Sequence, residues 1–279
     1  SSAQFDQTTV FSFLDPYSGQ QQGANLSGTN AMLDGISGAV DFRGVNLAGV
    51  SFMNSDLSAA MFDANTVFSF QNPNTFQQEG VNLSGTNAIL GGISGPVDFR
   101  GVNLAGVSFP SSDLSAAQFD QTTIFSFLNP NSGQQQGVNL SGTNAMLTGL
   151  TGMIDFRGVN LAGVSFSGSD LSSAQFDQTT IFSFLDPNSG QQQGVNLSGT
   201  NAMLDGISGA VDFRGVNLAG VSFMNSDLSA AMFDANTVFS FQNPNTFQQE
   251  GVNLSGTNAI LGGISRPVDF RGVNLAGVS

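Results

Sequence analysis

Large apolar side chains recur at every fifth position along much of this chain. From Val40 the sequence reads VDFRG, VNLAG, VSFMN, SDLSA, AMFDA, which puts Phe42, Leu47, Phe52, Leu57 and Phe62 at the centres of five consecutive pentads. A valine or small residue stands two places before each centre (Val40, Val45, Val50, Ser55, Ala60), with mostly polar residues between them (Asp41, Asn46, Ser51, Asp56). A period of five matches neither the helical period of about 3.6 nor the strand period of about 2. Three-residue strand steps joined by tight corners would produce it. The centre and the residue two before it then both point inward, because alternate residues of an extended chain share a face. The five centres are the predicted core, Val45 and Val50 fill beside them, and Gly44 and Gly49 turn corners.

Longer periods lie above the pentad. Phe42, Phe99, Phe156, Phe213 and Phe270 follow one another by 57 residues. Residues 1–108 match 172–279 at an offset of 171, differing only at Val10/Ile181, Tyr17/Asn188, Ala24/Val195 and Gly95/Arg266. The 57-residue units therefore come in three flavours that cycle. Both ends fall in mid-repeat, so residues 1–279 are expected to be one continuous repeat solenoid, a window on a longer repetitive chain whose terminal signals lie outside it.

These pentads resemble the pentapeptide-repeat proteins, whose pattern is A(D/N)LXX with Leu or Phe at the centre. The clean match covers about half of each unit, best at 40–64 and its copies and more loosely at ANLSGTNAMLDGIS. The resemblance implies a right-handed quadrilateral β-helix with four pentads to a coil. The fold expected is thus all-β, a right-handed parallel β-helix of pentapeptide-repeat type. The interval between GVNL segments alternates between 36 and 21 residues, as at Gly44, Gly80, Gly101 and Gly137. The short interval predicts one coil plus an extra residue, a bulge near Ile36–Val40. The long interval, NTVFSFQNPNTFQQE, fits either a protruding loop of about 16 residues or an extra irregular coil.

Burial of Phe68 and Phe70, each ring gaining ~1.5–3 kcal/mol, favours the second option, about three coils per 57-residue repeat with a turn at Asp15-Pro16 and Asn72-Pro73. Leu14 pairs with Gly19 in one flavour and Gln71 with Phe76 in another, as if one core slot were filled from either side of that turn. Fifteen such coils would make a rod roughly 70 Å long at the usual strand spacing.

Composition narrows the function classes. A chain that is 40% hydrophobic with 26 Phe has a core to bury, unlike disordered segments rich in Gly, Ser and Gln. Six Arg face twenty acids for a formal net charge of −14, which argues against nucleic acid as a partner. No apolar run approaches the ~18 residues of a membrane span, so no membrane insertion is expected. Lys and Cys are both absent from this polar composition, which leans towards an extracellular or cell-surface location.

Candidate chemistry is sparse. Without His, Cys or Lys the only candidate bases are carboxylates, and Asp41, Asp56 and Asp63 read as the outward residues of their pentads. Glu occurs only at Glu79 and Glu250, too rarely to serve every unit. The chain reads as a non-enzyme with no cofactor; calcium is the one ion that Asp and Asn ladders could take, although the Gly-Gly-x-Gly-x-Asp signature is missing. The NLS sequons at Asn25, Asn82, Asn139, Asn196 and Asn253 read as pentad asparagines. Arg43, Arg100, Arg157, Arg214 and Arg271 supply nearly all the positive charge. They form local pairs with Asp41, Asp98 and their copies, or else meet acids on a neighbouring rod; these residues are the candidate inter-rod contacts.

The reading that follows is a structural protein of an extracellular or cell-surface fibre, sheath or filament, whose partner is itself through packing or stacking of rods. The resemblance supplies the alternative, an acidic DNA mimic that binds a topoisomerase. A third reading is an adhesin stalk.

Overall fold

The computed structural model describes residues 8–279, except Asn30, Asn131, Ser167, Asn188, Pro244, Asn245, Gly263, Ser265 and the side chain of Met53. The chain divides into two compact units, Ser1–Asn139 and Leu140–Ser279. No helix occurs among the described residues of either.

Period five has a visible local cause. The carbonyls of three centres accept a hydrogen bond from the amide three residues on, Val45 to Phe42 at 3.0 Å, Val50 to Leu47 at 2.9 Å and Ala60 to Leu57 at 3.1 Å. In the first two β-turns the third residue has positive φ, provided by Gly44 (69°) and Gly49 (74°), whereas the Leu57 turn carries Ala59 there without it. The polar residue before the centre closes the same corner from outside: Asn46 Oδ1 accepts from Ala48 N at 3.1 Å and Asp56 Oδ1 from Ser58 N at 3.1 Å. Three residues of strand and two of turn make one pentad.

In the first unit four rungs carry the chain once around the coil. Asn82 pairs in parallel with Asn103, Ile89 with Ser108, Ser94 with Asp113 and Asp98 with Gln118; Asn103 then pairs with Ile124 to close a second coil. The preceding repeat does the same with Asn25 on Asn46, Ser37 on Asp56, Asp41 on Met61 and Asn46 on Val67. One of its rungs is long enough to form strands, β3 (Met32–Asp34) on β4 (Ser51–Met53). The second unit repeats these rungs, for example Asn196 on Asn217 and Ser208 on Asp227.

Phe42, Leu47, Phe52, Leu57 and Phe62 are all buried. Their rings form a ladder with centroids 5.2–6.0 Å apart, Phe42 on Phe62, Phe62 beside Phe68 and Phe68 against Phe99 of the next repeat. Such spacing lies in the range where aromatic pairs attract beyond their buried area.

Between the coils the chain leaves the wall as an antiparallel hairpin. These are β1 (Ser12–Leu14) with β2 (Gln21–Gly23), β5 (Ser69–Gln71) with β6 (Gln78–Gly80), and β7 (Ser126–Leu128) with β8 (Gln135–Gly137). In the second unit they are β9 (Ser183–Leu185) with β10 (Gln192–Gly194) and β11 (Ser240–Gln242) with β12 (Gln249–Gly251). On re-entry the chain has moved one face further round, since Asn82 stacks on Ser51 and not on Val67, and Asn139 on Ser108. A repeat therefore spans nine rungs at four to the coil, two coils and a quarter. Within the first unit, successive hairpins leave from successive faces.

This register corrects three expectations. The long interval is a protruding hairpin and not a third coil, because its strands pair with each other and only its base faces the core. Phe68 is buried, but Phe70 is half-buried and its counterpart Phe13 is 54% exposed. No core slot joins Leu14 to Phe76 either: they are 61% and 76% exposed, one on the arm and one at the tip. The extra length of a coil also lies elsewhere. Seven residues separate the rungs Asn82 and Ile89, whereas only four separate Ser94 from Asp98. There the equivalent of Ile36–Val40 is a tight turn, with Val97 N donating to Gly95 O at 2.9 Å.

The hairpin base sits where two backbones touch. A Cβ on Gly80 would lie 2.2 Å from the carbonyl carbon of Gly101 and 2.4 Å from Val102 N, and Gly23, Gly194 and Gly251 meet Gly44, Gly215 and Gly272 in the same way. Gly80→Ala must push the hairpin off the wall. We expect a loss of about 1–3 kcal/mol, the usual range for overpacking, measured by chemical denaturation; Gly85→Asn, at an open corner with φ 70° that Asn adopts readily, should change stability far less. Equal losses in the two variants would show that the contact does not position the hairpin.

Candidate functional site

The recurrent arginines sit beside the hairpin bases. Arg43 donates through Nε to Asp41 Oδ1 at 2.9 Å and through Nη2 to Asp41 Oδ2 at 2.8 Å, a bidentate fork, while its own backbone N reaches Oδ1 at 3.0 Å. Arg100 with Asp98, Arg157 with Asp155, Arg214 with Asp212 and Arg271 with Asp269 repeat it at 2.7 Å. The side chains of the first four arginines are about 40% exposed, so each is partly covered and partly in solvent.

A side-chain chain ties four of the hairpins to the coil that follows. Gln78 Nε2 donates to Ser69 Oγ at 2.6 Å and to Asp98 Oδ2 at 3.2 Å. Ser69 Oγ in turn donates to the carbonyl oxygen of Arg100. Ser12, Gln21, Asp41 and Arg43 form the same set, as do Ser183, Gln192, Asp212 and Arg214. Ser240, Gln249, Asp269 and Arg271 complete the series. The arginines thus fix a carboxylate whose free lone pairs hold the glutamine of the protruding arm. Sequence reasoning reached the Arg–Asp pair but missed Ser69 and Gln78. Their signal was present, since serine and glutamine keep that spacing in every unit while the hairpin tip between them changes.

The other candidates have structural partners. Asp63 Oδ1 accepts from Gly44 N at 3.1 Å and from Thr66 Oγ1 at 3.1 Å, and Thr66 Oγ1 also donates to the buried carbonyl of Phe42. Asp56 closes its corner; the amide and hydroxyl of Ser58 and then Asn87 draw its carboxyl below the usual range. Among the described residues no group of three or more acids gathers as an ion site. The sequon asparagine Asn82 is exposed, and its Oδ1 accepts from Ser84 N and Ser84 Oγ at 3.1 and 2.8 Å.

The fork sets a pH dependence. The Arg43 side chain lowers the Asp41 carboxyl, with smaller help from its backbone amide and from Gln21. Asp269, bonded by Arg271, falls to about 2. A depressed folded value means stability that is present above the unfolded value of about 4 and lost as pH falls through the folded one. With no His, Lys or Cys, the melting temperature should be flat from about pH 5 to 9 and drop below about pH 4. Replacing Arg43 and Arg271 by Gln should flatten the acid limb in thermal melts, because the lowered carboxyls of Asp41 and Asp269 then lose the bond that depresses them; an unchanged limb would rule these forks out as its source.

Residues 154–181 match the family of pentapeptide repeats, which the match describes as eight copies. Among curated proteins no sequence match is found. Two solved structures resemble the chain weakly. HetL, a pentapeptide repeat protein involved in heterocyst differentiation regulation from the cyanobacterium Nostoc sp. strain PCC 7120, is 16% identical over 88% of this chain and 84% of that one, with a TM-score of 0.19. QnrB1, a plasmid-mediated fluoroquinolone resistance protein, is 18% identical over 89% of this chain and 91% of that one, with a TM-score of 0.18. Residues 154–181 thus carry pentapeptide repeats, and turn-and-rung pentads of the same kind build the walls of both units as a right-handed β-helix.

Proposed function

We propose that this chain is a structural protein whose copies pack against one another in an extracellular or cell-surface fibre or sheath. The observation that carries this reading is the repetition of outward surface. Ile124 and Ile181 stand at equivalent rungs of the wall with their side chains about 44% exposed, and Val67 and Val238 occupy the same rung at 38%. Met61 and Met232 recur at another rung, 39% and 40% exposed. A site for one ligand needs one distinctive surface, whereas a lattice needs the same surface many times, and apolar residues recurring at these particular rungs give neighbouring copies something to bury.

Charge supports the same choice. Charged residues make up only 9% of the chain, and the Arg–Asp forks leave half-exposed guanidinium edges at regular intervals. Those edges are the groups we assign to acids on a neighbouring copy, with the forks holding them in place.

Electron microscopy and sedimentation of the purified chain over a range of concentrations provide the test. Long filaments or sheets, with a fibre reflection at the strand spacing of about 4.8 Å, are the expected result. Discrete monomers at every concentration would overturn it. Inhibition of a topoisomerase by those monomers would then favour the acidic mimic.

A further inference from the structure

The hairpin tips carry a feature that folding does not require. Phe76 has φ 57° and Phe247 φ 58°, in the left-handed region, and the equivalent residues of the other hairpins are Gly19, Gly133 and Gly190 at 65–67°. Glycine occupies this conformation without the steric cost that a phenylalanine meets. Burial does not offset that cost, since the two rings are 76% and 75% exposed. Both Phe-type hairpins thus place an aromatic ring in water at a backbone position where glycine folds more easily.

The ring borders a cleft between the β5–β6 arm and the wall. The cleft measures about 450 Å³, within the range of small-ligand sites, and Gln71, Phe76 and Gln77 line it from the arm while Arg100, Asp120 and Thr122 line it from the wall. Several of these groups are already fixed. Gln71 Nε2 donates to Phe76 O at 3.1 Å, the Asp98 fork holds Arg100, and Asp120 Oδ1 accepts from Thr122 N at 2.9 Å. Among the described residues, the Gln77 side-chain amide, Asp120 Oδ2 and Arg100 Nη1 make no hydrogen bond within the protein, and all three residues line the cleft.

We infer that this cleft binds a neutral carbohydrate chain. Arg100 is balanced by Asp98 and flanked by Asp120, so the site has no surplus positive charge to attract an anion, and the chain as a whole is at −14. A purely apolar ligand would leave the amide, carboxylate and guanidinium edges unpaired. Hydroxyl groups satisfy all three: they donate to Asp120 and accept from Arg100 and Gln77. The electron-rich face of Phe76 offers a surface for the C–H side of a sugar ring. A linear saccharide combines those two faces in one molecule.

The inference rests on the extracellular half of the proposed function, where polysaccharide is present, and not on self-packing. The test titrates cellohexaose and laminarihexaose into the full chain by calorimetry, beside the double variant Phe76→Gly, Phe247→Gly. That variant should fold, because sibling hairpins carry glycine there, and its melting temperature should be equal or higher. The wild-type chain is expected to bind a neutral hexaose, and the variant to bind it at least about tenfold more weakly, as for loss of an aromatic anchor. No binding by the wild-type chain at millimolar sugar, equal binding by the variant, or preferential binding of anionic polygalacturonate would each overturn the inference. Filament formation by both proteins without sugar binding would defeat this inference alone. Sugar binding by a protein that never assembles would defeat the packing reading alone.

Discussion

No coil of this protein can cover its own core. Each inward Phe or Leu is sealed only by the coil above and the coil below, and the parallel rungs from Asn82 to Asn103 and from Asp98 to Gln118 set the height at which that happens. Stability is then close to a sum over neighbouring coils. The turn from centre carbonyl to the amide three residues on makes stacking possible, because it returns the chain to the wall every five residues with the same side chains inside. Whatever else the sequence adds must leave that step intact.

The hairpins add material without breaking it. They insert at one corner, pair within themselves, and hand the chain back one face further on, so the wall continues with its register shifted by a quarter turn. Two devices enforce the re-entry. The glycine contact of Gly80 on Gly101 permits an approach that no side chain could share. The Ser69–Gln78–Asp98–Arg100 chain then fixes the arm to the following coil through polar groups that would otherwise lie half-buried and unpaired. Arg43 and its copies are part of the fold first, whatever their outer edges meet.

How much of this could be read from the letters follows from where the chemistry is local. The pentad centres were legible because each depends on residues within five positions, and Gly44 and Gly49 stand where a turn needs positive φ. The hairpin was not. Phe68 and Phe70 look alike in sequence, yet the first lies on the wall and the second on an arm, and only the antiparallel pairing of Phe70 with Glu79 separates them. Burial energy alone favoured packing both, a preference that ignored the backbone pairing the two arms make with each other. The misplacement of the extra coil residue has a similar origin. Counting residues between GVNL segments gives the total but cannot say which of four faces holds the surplus.

The contrast between clamp and tip separates what the fold needs from what it tolerates. Serine and glutamine recur at the Ser69 and Gln78 positions of every repeat, as does the Arg–Asp fork, and the glycine contact recurs at Gly23, Gly80, Gly194 and Gly251. Between them the tip alternates between a leucine on the arm with glycine at the turn and a glutamine on the arm with phenylalanine at the turn. The hairpin is built in both cases with the same strand register, Leu14 opposite Gln21 and Gln71 opposite Gln78. Side chains that change while the backbone does not are free of the folding constraint, and Leu14, Phe76 and Phe247 among them are largely exposed. If the walls provide sameness, the tips are the places where one repeat can differ from the next, and an interaction that distinguishes repeats has to be made there.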